Sequence, residues 1–180
     1  MYRMKKICVF CGSSKPKQNG DLENQVIRLG ELLLKKNLHL VYGGAKIGLM
    51  GLISDTILLK GGQVTGIIPK ILSKKEIINK EVSELIVVSN MHERKKKMYD
   101  LSDAFIILPG GIGTLEEFSE ITTWKVLGIM KKPIFLLNYN GFYDNLIKQF
   151  EMMKENNFLY SDIFKEVTII NSVSDLDKLL

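Results

Sequence analysis

A chain of 180 residues, 46% hydrophobic and 25% charged, has the size and composition of one ordinary globular domain. Its apolar runs are far shorter than the ~20 residues a membrane helix needs, and the stretch 7–10 behind the basic N-terminus is too short for a signal-peptide core, so the cytoplasm is the expected compartment. The net charge of +5 sits in short lysine runs such as Lys35-Lys36, Lys95-Lys96-Lys97 and Lys131-Lys132. These read as a solvated surface that also suits small anions, without the aromatic interleaving of a nucleic-acid site.

Strand and helix patterns alternate along the chain. Strands are predicted over 6–10, 38–42, 64–68, 85–88, 104–108, 133–137 and 166–170. Helices are predicted over 22–36, 49–60, 91–101, 114–130, 142–155 and 173–180. Short strands that are apolar on both faces, separated by helices, predict a parallel sheet covered on both sides, a Rossmann-like three-layer α/β sandwich in a single domain. Such sheets bind ligands at the carboxyl ends of their strands. The loops Gly12-Ser13-Ser14, Gly43-Gly44 and Gly110-Gly111 all follow strands, so all three are expected on that edge.

The first strand continues as Gly12-Ser13-Ser14-Lys15-Pro16, without the G-x-G-x-x-G dinucleotide fingerprint, and no G-K-[ST] follows Gly113. Cys8 and Cys11 have C-x-x-C spacing. Cys8 falls inside a strand, however, whereas a redox pair belongs at a helix start. With His39 and His92 as the only histidines, a zinc set is not in view either. Two small residues packed at a strand end is the reading.

The segment Leu108-Pro109-Gly110-Gly111-Ile112-Gly113-Thr114-Leu115-Glu116-Glu117 carries more. A glycine-rich turn between strand and helix lets backbone approach a ligand, and the free N–H groups of the helix start favour an anion such as phosphate. Glu117, expected in the first helical turn, faces the same space. Thr114 and Glu117 also have the spacing of a capping box, which is the purely structural alternative. Glu116 and Glu120 read as a solvated face.

A second segment, Met91-His92-Glu93-Arg94-Lys95, places Arg94 and Lys95 near a helix start on the same edge. Positive charge is mildly unfavourable there, and an anionic partner would remove the conflict; a solvated basic face is the alternative. His92 reads as a surface or packing residue.

These motifs, with Val41-Tyr42-Gly43-Gly44, Gly48-Leu49-Met50-Gly51, Thr122-Thr123-Trp124 and Gly141-Phe142-Tyr143, resemble the LONELY GUY family over nearly the whole chain. That family comprises cytokinin riboside 5′-monophosphate phosphoribohydrolases and also carries the older label of lysine decarboxylases. The resemblance implies a Rossmann-like dimer that splits a nucleoside 5′-monophosphate, AMP or an N6-prenylated relative, into free base and ribose 5-phosphate, with no metal or cofactor. It puts the catalytic roles on Arg94 and Glu117. Substrate contacts fall on Glu76, Lys95, Gly111, Ile112, Gly113, Thr114, Glu116 and Thr123, and the strand-end loops and helix start add Ser13, Gly44, Gly110 and Met91. Ala45 departs from a third glycine found in many relatives, and a residue this small is expected to allow the same backbone approach. Trp124, on a helix apolar on more than one face, is expected at or near the dimer interface.

The chemistry agrees with that reading, because glycosidic cleavage passes through an oxocarbenium-like cation that a carboxylate can stabilise. The alternatives are a non-catalytic nucleotide or cofactor carrier of the same fold, against which Arg94 and Glu117 argue, and a pyridoxal phosphate decarboxylase, for which no lysine stands in a recognisable setting.

Overall fold

The structure, a computed structural model, describes residues 5–14, 20–73, 78–159 and 161–180. Seven strands alternate with helices: β1 (Lys6–Phe10), α1 (Gly20–Lys35), β2 (His39–Tyr42), α2 (Gly48–Leu58), β3 (Val64–Pro69), α3 (Lys70–Ser73), β4 (Glu84–Val88), α4 (Met91–Leu101), β5 (Ala104–Ile107), α5 (Ile112–Val126), β6 (Ile134–Leu137), α6 (Asp144–Glu155), α7 (Ile163–Glu166), β7 (Thr168–Ile170) and α8 (Val173–Asp177). All strand pairs are parallel, in the order β4-β3-β2-β1-β5-β6-β7. The chain winds outward from β1 to β4, then returns to place β5 on the other side of β1. The switch point therefore lies between β1 and β5, where a crevice opens at the carboxyl edge.

Strand alternation explains the three layers. Ile7 and Val9 of β1 point into one core with Val26, Leu29 and Leu33 of α1 and Ile53 and Ile57 of α2. Cys8 and Phe10 point into the other, with Met98 of α4 and Phe118 and Ile121 of α5. Both cysteines are buried free thiols, and burial pushes both well above the ordinary thiol pKa. Among the described residues, no helix is long and apolar enough to cross a membrane.

Several boundaries differ from the sequence reading for local reasons. Helix α5 begins at Ile112 rather than 114, with Gly111 as its N-cap and no side-chain cap bond. Thr114 and Glu117 are therefore its third and sixth residues, and the capping-box expectation is wrong. The predicted strand 166–170 is shorter, because Asp162 caps the one-turn helix α7 by accepting from the Phe164 N–H at 3.2 Å. Helix α8 stops at Asp177 rather than 180 and begins with a true capping box between Ser172 and Asp175.

Candidate active site

A cavity of about 260 Å³ opens at the carboxyl ends of β1 and β2, between α4 and α5. Arg94 and Glu117 face each other across it. Arg94 is the fourth residue of α4 and is buried. Its Nε donates to the Ile67 carbonyl of β3 at 3.1 Å and its Nη2 to the Gly43 carbonyl at 3.4 Å. The remaining nitrogen, Nη1, stands 3.8 Å from Glu117 Oε1 and 3.9 Å from Met91 Sδ. The guanidinium is thus fixed by two strand ends and aimed at the carboxylate.

Gly43 makes this possible. A Cβ there would lie 2.2 Å from Nη2, so any side chain would displace Arg94.

Glu117 is buried on the inner face of α5. Burial pushes its carboxyl up to about 7; Arg94 and Lys95 pull it down, while Glu116 and Glu120 add to the rise. Near neutral pH the group therefore exchanges a proton readily. At 3.8 Å the pair with Arg94 is an ion pair beyond hydrogen-bond length, so both partners keep capacity for a third group.

The first turn of α5 forms the mouth. Gly111, Ile112 and Gly113 are exposed, and a Cβ at Gly111 or Gly113 would meet nothing within 4 Å. The N–H groups of a helix start have no carbonyl one turn earlier, so this open turn can receive an anion. Gly110 supports it from behind: a Cβ there would lie 2.2 Å from Thr114 Oγ1 and 2.9 Å from the Gly12 nitrogen. Gly12 donates to the Pro109 carbonyl at 3.2 Å, which locks the β1 and β5 loops together.

Of the residues singled out from the sequence, Ser13, Met91, Arg94, Gly111, Ile112, Gly113, Thr114, Glu116 and Glu117 line this one cavity. Others stand elsewhere. Gly44, with φ +81°, turns the chain beside Ile67 and Ile68, and its neighbour Gly43 lines the cavity instead. Lys95 turns away to Glu116 and Glu120. Lys95 and Glu120 are therefore withdrawn from solvent, Glu116 stays half-exposed as expected, and α5 supplies the anionic partners that offset positive charge at the start of α4.

Thr123 donates to the Ser119 carbonyl at 2.7 Å and borders a separate apolar groove farther along α5. Ala45 is buried core paired with Ile78, not a cavity residue. Glu76 lies outside the described residues. Trp124 meets Tyr99 of its own chain edge-on at 5.1 Å.

Sequence reasoning missed Gly43, Cys11, Met50 and Met98 as lining residues. Gly43 was legible as half of a glycine doublet, and Cys11 as a residue at a strand end. The two methionines look like any apolar helical position, and no local signal separates them from core. Among the described residues, no group of three His, Cys, Asp or Glu side chains could hold a metal ion.

Taken together, the switch-point cavity and the fixed guanidinium define a Rossmann-like α/β protein with an open helix start beside an ionisable carboxylate. Comparison with known proteins narrows the class. Residues 50–180 match the family described as "Possible lysine decarboxylase". Over 160 residues the chain is 46% identical to the cytokinin riboside 5′-monophosphate phosphoribohydrolase LOG of Oryza sativa subsp. japonica, covering 89% of this chain and 66% of that one. It is 43% identical to the Arabidopsis thaliana enzyme LOG2 over 178 residues, covering 99% and 83%. Among solved structures, the molybdenum cofactor binding protein of Rippkaea orientalis superposes with a TM-score of 0.71 at 25% identity, covering 99% and 96%. The chain belongs to the LOG family.

Proposed function

We propose that this protein hydrolyses the N-glycosidic bond of nucleoside 5′-monophosphates, AMP and its N6-modified cytokinin relatives, releasing free base and ribose 5-phosphate. The observation that carries the reading is Glu117: a buried carboxyl with a pKa near 7, held beside Arg94, one and a half turns inside the helix whose open start can take the phosphate. With the 5′-phosphate on Gly111 to Thr114, the ribose lies toward Glu117. As the C1′–N bond breaks, its electrons leave with the base, which takes up a proton, and positive charge grows on the ribosyl ring. Ionised Glu117 stabilises that charge and accepts the proton of the water that attacks C1′. Arg94 holds Glu117 oriented and can also pair with the substrate's anion.

The decarboxylase description finds no support in the site, since no described residue lining the cavity is a lysine that could form a Schiff base. A carrier reading is weaker as well. A buried carboxyl that titrates near neutrality costs folding energy, and a protein that only binds gains nothing from it.

The chain is further proposed to work as a homodimer that uses the end of α5 near Trp124 and the turn just beyond it, where Leu127 is 60% and Ile129 63% exposed. Light scattering at micromolar concentration would report the dimer mass, and a monomer would contradict it. The two free thiols suit a reducing compartment such as the cytoplasm.

The activity is tested by incubating the purified protein with AMP and, separately, with adenosine, and measuring adenine and ribose 5-phosphate. Adenine and ribose 5-phosphate should form in equal amounts from AMP. Adenosine should react on the order of a hundredfold more slowly, because it forfeits charge-assisted hydrogen bonds worth roughly 1.5–3 kcal/mol each. No adenine from AMP would overturn the reading. Equal rates would reduce the glycine loop to a structural turn.

A further inference from the structure

The segment from Asn138 to Tyr143, between β6 and α6, enters no step of the proposed reaction, yet it ends against the glycine turn. Asn138 fixes its start. The Asn138 N–H donates to the Ile170 carbonyl of β7 at 2.8 Å, Oδ1 accepts from the Tyr143 N–H at 2.7 Å, and Nδ2 donates to Asp144 at 2.7 Å. The chain turns back through Asn140, at φ 51°, and Gly141, at φ 71°, where a Cβ would lie 2.5 Å from Asp144 Oδ2. Tyr143 is thereby turned inward: it is 2% exposed, and its hydroxyl donates to the Leu108 carbonyl at 2.8 Å. Burial pushes the phenol well above its ordinary range, so it remains a donor at every working pH.

Leu108 is where the ladder between β1 and β5 slips. Its N–H donates to the Phe10 carbonyl at 2.9 Å, in register with the Phe10–Ile107 pair. The next rung of a regular parallel ladder would run from the Gly12 N–H to the Leu108 carbonyl. Gly12 donates instead one residue farther on, to Pro109 at 3.2 Å. The slip lets the chain leave the sheet as Pro109-Gly110-Gly111, and it takes the ladder partner away from the Leu108 carbonyl, in a residue with no exposed surface. Tyr143 fills that place from a third element. A buried carbonyl without a donor destabilises the fold. Without the phenol, the simplest way to satisfy it is a return toward regular pairing with Gly12, which would draw Gly110 and the start of α5 after it.

We infer that Tyr143 is a positioning residue for phosphate recognition: by holding the Leu108 carbonyl out of the ladder, it fixes the Pro109-Gly110-Gly111 turn and with it the open start of α5. Tyr143 does not line the cavity itself. The inference rests on the proposed reading, in which the 5′-phosphate sits on that helix start. Its effect is selective. Arg94 is held by Ile67 and Gly43, and α5 beyond its first turn is held by the packing of Phe118 and Ile121. Loss of the phenol therefore weakens the hold on phosphate and spares the chemistry at Glu117.

The test compares wild type with Tyr143→Phe, which deletes one oxygen, and with Tyr143→p-aminophenylalanine, which returns a donor to the same place. Each is titrated with inorganic phosphate by calorimetry and assayed with AMP and with adenosine, well below its melting temperature. Tyr143→Phe should bind phosphate about tenfold more weakly and lose about tenfold of its preference for AMP over adenosine in kcat/KM, the weight of roughly one charge-assisted hydrogen bond. Its kcat/KM for adenosine should be unchanged. The amino variant should recover most of both losses. Wild-type phosphate affinity in Tyr143→Phe would overturn the inference. So would AMP and adenosine rates that fall alike, the mark of a residue that only supports the core. Wild-type protein that binds phosphate but releases no adenine would sink the hydrolase reading and leave the inference standing, whereas wild type that binds neither phosphate nor AMP would overturn both.

Discussion

The two edges of the sheet treat their polar groups in opposite ways. At the amino edge several polar groups are paired tightly. Asp103 accepts from the backbone N–H groups of Lys5 and Lys6 at 2.7 and 2.9 Å. His39 Nε2 lies 2.7 Å from Thr65 Oγ1, whose hydroxyl donates to Glu84 at 3.1 Å, so three strands are stitched by one chain of bonds. At the carboxyl edge, Arg94 and Glu117 are more deeply buried than Asp103, His39 or Glu84 yet meet only at 3.8 Å, and the helix start of α5 is open. The fold pairs these groups closely at one end and leaves Arg94 and Glu117 incompletely satisfied at the other, where the nucleotide is proposed to enter. Unspent bonding capacity of this kind supports the proposed active site at that end.

Breaking the carboxyl edge should have the largest effect. Arg94→Ala should cut kcat/KM for AMP roughly 10²–10⁴-fold, the usual contribution of a charged group acting on proton transfer. Lys97→Ala, exposed on the same helix, should leave it unchanged. Comparable losses in both would mean that positive charge in general, and not this guanidinium, does the work. Steady-state adenine release measures both.

The pH dependence sharpens the contrast, because activity and stability should run in opposite directions. Glu117 must be ionised to act, so kcat/KM should rise through about pH 7 and level off above it. Below that, each pH unit should cost about tenfold. For stability the sign reverses. The folded carboxyl holds its proton more tightly than the unfolded chain does, so its contribution is intact at pH below the ordinary carboxylate range. It is lost as pH climbs through about 7. The loss is about 3 kcal/mol, from roughly 1.4 kcal/mol per pH unit. Urea unfolding at pH 5 and pH 8 would show it as a slope present in the wild type and missing from Glu117→Gln. Equal slopes in the two proteins would mean that Glu117 titrates normally.

Breaking the amino edge should cost stability alone. Thr65→Val leaves the His39 and Glu84 groups without their bridge, worth about 1–3 kcal/mol, and should lower Tm while kcat/KM stays put. A comparable fall in activity would erase the distinction between the edges.

Much of this was legible in the sequence. Short strands apolar on both faces, such as Ile7-Cys8-Val9-Phe10, announce a covered parallel sheet, and helix α4 matches its predicted span of Met91–Leu101. The glycine turn after β5 announces the open start of α5. What escaped depended on distance in the chain. Gly43 matters because Arg94, far along the sequence, needs the space its side chain would fill. Lys95 and Glu120 look like surface charges until α4 and α5 are laid side by side. Glu117 looked like a cap because T-x-x-E spacing does not reveal that the helix starts two residues earlier, at Ile112.

The central claim is that Glu117 is a reacting carboxylate and not a piece of helix architecture. It is tested most directly by measuring AMP binding and AMP turnover on the same preparation of Glu117→Gln. Calorimetry should return an AMP affinity close to that of the wild type, since the phosphate site and Arg94 remain, while adenine release should fall nearly to background. Turnover at the wild-type rate with binding intact would contradict the account.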